Sequence, residues 1–127
     1  MSSITNPILL HDRYRELFKV GDLENLLNMY EMDAVMFLAP GQELRGHEQI
    51  RVRLKQLVML RGEFKSAQLA CVRQGEFALL QTEWSLRGKT PKGGLIVTGG
   101  ISSRVARRGS DGFWRYAIDM PVNQKGI

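Results

Sequence analysis

The stretch FALLQTEWSLRGKTPKGGLIVTGGISSRVARRGSDGFWRYAIDMP, residues 77–121, decides the fold. Its apolar residues recur at alternate positions, the spacing of strands whose successive side chains point to opposite faces. Between Phe77 and Arg87, the residues Ala78, Leu80, Thr82, Trp84 and Leu86 share a face. Leu95, Val97, Ile101 and Val105 share one in segment 95–107, and Trp114, Tyr116, Ile118 and Met120 share one in segment 113–120. Turn chemistry separates these runs. The loop Gly88 to Gly94 holds Pro91, Gly109-Ser110-Asp111-Gly112 is a hairpin turn of the Asp-Gly kind, and Pro121 stops the last run. Another extended segment, 63–73, comes before them and ends at Gly75. Consecutive strands with short connections pair as an antiparallel meander with one covered face. Strands this long coil strongly, and Gly99-Gly100 would relieve a bend or bulge in the third.

Upstream the period becomes helical. Asn6 can cap a helix that Pro7 opens, with Leu10, Tyr14, Leu17 and Phe18 on one face. Gly21 ends it and Asp22 caps a second helix, whose apolar stripe is Leu23, Leu26, Leu27 and Tyr30. The run Ala34 to Ala39, stopped by Pro40-Gly41, reads as a short strand. Gly46 and His47 open a third helix with Ile50, Leu54, Leu57 and Val58 inward, while Arg51, Arg53 and Lys55 point elsewhere. Helices first and strands afterwards give the α+β class: three N-terminal helices packed on a curved antiparallel sheet, in a single domain over residues 1–127. Such a cone leaves a hollow at its open end, where a small molecule could sit.

Composition narrows the function. Cys71 is the only cysteine, so no intramolecular disulfide can form, and a cytoplasmic location is expected. No apolar run approaches the roughly 18 residues that span a bilayer, and the N-terminus lacks the pattern of a signal peptide. The net charge of +5 raises the question of nucleic acid. The positive residues are spread along the chain with no basic block, which reads as a solvated surface that favours an anionic ligand. Neither nucleic acid nor membrane is an expected partner. No metal-ligand cluster, phosphate-cradling loop or nucleophile–histidine arrangement is visible, so no metal or cofactor is expected.

Three stretches carry a family likeness: YRELFKVGDLE from Tyr14, RGHEQIRVRL from Arg45, and the segment from Thr82 to Pro121 with its Arg-Arg, Asp-Gly and Trp-Arg pairs. In this order they resemble the NTF2-like superfamily, which includes ketosteroid isomerases and SnoaL-like polyketide cyclases. The resemblance covers nearly the whole chain and implies a cystatin-like cone and a homodimer through the convex sheet face. In ketosteroid isomerases, a worked case of these roles, a tyrosine of the first helix is an oxyanion-hole donor, and Tyr14 matches it. The carboxylate base would fall at Ala39 and the protonated aspartate at Ile101 or Ser102, so neither acid is present. SnoaL-like cyclases place an acid–base residue on the C-terminal strand, where Asp119 stands, though the neighbouring position where a histidine is common is Met120.

Asp119 and Tyr14 are therefore the candidate catalytic residues. Phe18, Met36, Leu38, Leu57, Trp84 and Ile101 are the expected pocket lining. Tyr14 reads equally as a buried tyrosine whose hydroxyl has one partner. By strict alternation Asp119 points away from Tyr116 and Ile118, towards the convex face, unless a bulge turns it inward. His11 reads as a surface or rim residue and His47 as a helix-start residue. Two functions remain open. One is binding of a small, largely apolar or weakly anionic molecule, with acid–base chemistry of isomerase, cyclase or hydratase type. The other is a non-catalytic dimerisation or protein-interaction module, supported by Phe77 and Leu79 on the outer face.

Overall fold

The computed structural model describes residues 4–121. Asn6 accepts the Ile8 N–H, and Pro7 opens a 3-10 turn that runs on into helix α1, Leu10–Val20. Gly21 closes α1 in the left-handed conformation (φ 72°), which a residue without Cβ adopts at no steric cost. Asp22 accepts the Asn25 N–H and starts α2, Leu23–Leu27. There follow β1, Tyr30–Ala39, β2, Gln42–Arg45, and α3, Gly46–Val58. The remaining strands are β3, Glu63–Gln74, β4, Phe77–Lys89, β5, Leu95–Arg108, and β6, Trp114–Met120. All six strands join one sheet in the order β2-β1-β6-β5-β4-β3.

The sheet is mixed, where the sequence reading expects an antiparallel one: β1 runs parallel to β6. The second helix stops before Tyr30 because the Met29 carbonyl accepts the Tyr116 N–H (2.8 Å), which captures the chain on β6. Tyr30 thus opens a strand opposite Tyr116 instead of completing a helical stripe. Strand β2 is absent from the sequence reading; the Pro40-Gly41 turn folds it back onto β1 as an edge strand.

In β4 the alternation holds: Ala78, Leu80, Thr82 and Leu86 are buried. In β5 the reading reverses. Ser102, Arg104 and Ala106 face inward, and the apolar Leu95, Val97 and Ile101 lie on the outer face. Register decides this, because residues directly opposite each other share a face: Ala78 faces Ala106, Leu80 faces Arg104 and Thr82 faces Ser102. In β6 the pairing with β5 slips between Val105 and Ala106, so that Ala106 meets Tyr116 while Val105 meets Ile118. Ala117 is the extra residue of this bulge. Beyond it the faces exchange, putting Asp119 inside and Ile118 outside. The β3–β4 pairing also slips, between Gln68 and Ala70. Leu10, Leu17, Leu26, Leu27, Ile50 and Leu54 from the helices pack on Leu80, Leu86, Trp114 and Tyr116. Each such aliphatic side chain contributes about 1.5–3 kcal/mol by leaving water. Among the described residues no helix is long and apolar enough to cross a membrane.

Candidate functional site

Helices and sheet part at one end and enclose a cavity of about 310 Å³. Its volume is at the small end of the range for small-molecule sites. One wall is aromatic. Phe18 stacks on Phe64 with ring centroids 4.6 Å apart, and Phe64 lies 6.1 Å from Trp84. The Trp84 indole N–H donates to the Pro121 carbonyl at 2.7 Å, which fixes the ring against the end of β6. Met36 and Leu38 of β1 and Leu54 and Leu57 of α3 supply aliphatic surface.

The floor is polar and charged. Asp119 is 1% exposed and Arg104 is 7% exposed. Arg104 Nε donates to Asp119 Oδ1 at 3.0 Å, and the Tyr30 hydroxyl donates to Asp119 Oδ2 at 2.6 Å. The Arg104 guanidinium lies 4.4 Å from the Tyr14 ring centroid and 4.9 Å from that of Tyr116, within cation–π range of both. Burial works most strongly against the Arg104 charge, but Asp119 together with the hydroxyls of Tyr30, Tyr116 and Tyr14 outweighs it, and the guanidinium pKa stands well above its ordinary value. Burial raises the phenol pKa of Tyr14, and Arg104 pulls the other way without cancelling it, so the phenol stays protonated. Tyr30 is raised further by burial and by the Asp119 charge.

His11 also lines the cavity, with Nε2 3.2 Å from Ser66 Oγ and a buried Nδ1 that has no partner among the described residues. Burial, reinforced by Arg104, lowers its pKa below the ordinary 6.5, so the imidazole is neutral at neutral pH.

Tyr14, Phe18, Met36, Leu38, Leu57, Trp84 and Asp119 all line this cavity. Ile101 does not. It lies opposite Glu83 on the outer face, 37% exposed, and its neighbour Ser102 takes the inward position. Asp119 points inward because of the bulge at Ala117, and both its oxygens are engaged. His47 donates from Nε2 to the Tyr30 carbonyl at 2.7 Å and stays outside the cavity lining. His11, expected at the surface or rim, is buried.

Sequence reasoning missed Tyr30 and Arg104. Arg104 was visible as one of three inward positions, Ser102, Arg104 and Ala106, once the β4–β5 register is known. In the sequence alone the more apolar set of β5 is the natural choice for the covered side.

At its floor the arrangement sets the Tyr14 phenol and the Arg104 guanidinium as donors beside an apolar chamber. It offers no unpaired carboxylate. Asp119 holds Arg104 and Tyr30 in place.

No protein-family model matches the sequence, and no curated protein matches it. Solved structures match closely in shape. A ketosteroid isomerase-like protein from Erwinia carotovora atroseptica superposes with a TM-score of 0.74 at 13% identity, over 91% of this chain and 92% of that one. An NTF2-like protein with a cystatin-like fold from Novosphingobium aromaticivorans gives 0.70 at 16% identity, over 93% and 79%. A conserved protein from Planctomyces limnophilus gives 0.76 at 22% identity, over 89% of each chain. At these identities the likeness establishes the fold: an α+β, cystatin-like fold of the NTF2-like kind.

Proposed function

We propose, on the premise of this NTF2-like fold, that the protein binds a small, largely apolar and weakly anionic molecule in the conical cavity. One observation carries the reading: an aromatic chamber ends on a buried, charge-compensated arginine with a protonated tyrosine beside it. Fully buried charges are rare unless paired, and both members of this pair line the cavity. The Tyr14 phenol and Arg104 guanidinium would donate to an oxygen of the ligand, and hydrogen bonds from a cationic donor are the stronger kind. Where the ligand reacts, the same donors would stabilise charge developing on that oxygen. Asp119 would act as a positioning residue, since a proton carrier would first have to release Arg104 or Tyr30.

Thermal denaturation in the presence of naphthols and naphthoates tests this. At a hundred times Kd a ligand adds about 2.7 kcal/mol, which raises Tm by several degrees. Leu57→Trp, which fills the chamber from the half-buried face of α3, should abolish that rise and leave the unliganded Tm nearly unchanged. A rise of equal size in the variant would place the ligand elsewhere.

The outer sheet face supports homodimerisation as a second reading. Val72, Leu79, Val105, Ile118 and Val35 lie opposite one another in turn across five strands, forming one continuous apolar row. Leu79 is 48% exposed and Val72 is 62% exposed. A row of this kind is self-complementary about a two-fold axis. Leu79→Lys should shift the sedimentation coefficient from that of a dimer to that of a monomer. A wild-type protein that sediments as a monomer at all concentrations ends this reading.

A further inference from the structure

The cavity lining carries two arginines, Arg53 and Arg104, against one carboxylate, Asp119. The two cations are not equivalent. Arg104 is buried, and its charge is compensated by Asp119 at 3.0 Å. A second anion placed there would lie beside the Asp119 carboxylate and be repelled by it. Arg53 is half-buried on α3, one turn before Leu57 on the same helix face. The ion pairs among the described residues leave it out. Gln42, exposed at the start of β2, lines the same cavity. Arg53 and Gln42 are thus the solvent-open polar members of a lining whose other charged groups are buried.

Resting on the binding reading above, we propose that the ligand is an aromatic carboxylic acid that enters ring first, with its carboxylate held at the mouth by Arg53 and Gln42. The ring body then lies between the Phe18–Phe64–Trp84 wall and the Leu54–Leu57 face of α3. Its inner end meets Tyr14 and the outward side of Arg104. The planar guanidinium of Arg53 matches a carboxylate bidentately, and the Gln42 amide can add a donor. At the mouth the acid keeps part of its hydration, so its desolvation is smaller than at the floor. Arg53 is then the residue that selects acids over neutral analogues of the same shape.

Isothermal titration of the full chain with naphthoate and with the neutral naphthalenemethanol, at neutral pH, tests the assignment. Naphthoate is expected to bind about tenfold more tightly, the size of one charge-assisted contact. Arg53→Gln should remove that preference and leave the affinity for the alcohol unchanged, while Arg53→Lys should retain part of it. Arg53 is only half-buried and is left out of the ion pairs among the described residues, so both variants should keep the wild-type Tm. Equal binding of acid and alcohol to the wild type overturns the Arg53 assignment and leaves the cavity reading intact. A preference that survives Arg53→Gln overturns it in favour of Arg104. Binding of neither compound overturns both readings.

Discussion

Asp119→Ala is expected to lower folding stability by about 3–5 kcal/mol, the loss that follows when one partner of a buried ion pair is removed. The variant leaves the Arg104 guanidinium inside with no counter-charge, and Tyr30 with no acceptor for its hydroxyl. Two stacked tyrosine rings compensate a cation by only about 1–2 kcal/mol each when desolvated. The triple change Asp119→Leu, Arg104→Met and Tyr30→Phe, apolar throughout, should regain most of the loss, because buried charge pairs are often replaced by packed apolar groups at no net cost. Urea denaturation of the three proteins gives the comparison. If the single variant unfolds at the wild-type denaturant concentration, Asp119 is not the internal counter-ion, and its candidacy as a proton carrier returns. The triple variant has a second use: it should fold but lose naphthol binding, since the Arg104 donor at the floor is gone, while the preference for naphthoate over its neutral analogue, set at the mouth by Arg53, should persist.

Gly99→Ala should be nearly as damaging, at roughly 3 kcal/mol. The residue has φ 154°, outside the range that a side chain tolerates easily. A Cβ built there would approach the Trp84 carbonyl oxygen to 2.3 Å and the Ser85 Cα to 2.8 Å. Both are backbone atoms, so the clash cannot be relieved by rotating a side chain. The β4–β5 pairing must open beside Trp84, which is a wall of the cavity, so stability and ligand binding should fall together. Val97→Thr, on the outer face of the same strand, should change stability by less than about 0.5 kcal/mol. Wild-type stability of Gly99→Ala would mean that β5 does not approach β4 as closely as this geometry requires.

The helices and the long strands were legible because each is specified by local chemistry. Pro7 behind Asn6, Gly21 with Asp22, and Gly109 to Gly112 fix where elements begin and end by their own φ preferences and side-chain caps. The stripe Leu10, Tyr14, Leu17 and Phe18 needs only the helical period to declare itself. Phe18, Met36, Leu38, Leu57 and Trp84 were legible as inward apolar residues of their elements, whereas Thr82 on the same face of β4 is polar, and the buried His11 of α1 and Phe64 of β3 were not legible as lining. Tyr30 was lost because a tyrosine after Leu26 and Leu27 continues a helical pattern equally well. At Tyr30 the strand is held by β6 alone, since β2 pairs with β1 only from Val35 onward.

Sequence alone determined the α+β order, the boundaries of most elements other than β2 to within a few residues, and the apolar inward faces of α1 and α3, because period, capping and turn chemistry act between neighbours along the chain. Tertiary structure decided the buried Arg104–Asp119–Tyr30 cluster at the cavity floor. Which face of β5 is covered depends on its register with β4, and which way Asp119 points depends on one extra residue in β6. A side-chain period of two turns any single-residue slip into a reversal of faces, and the energy that chooses the register comes from partners far apart in the chain.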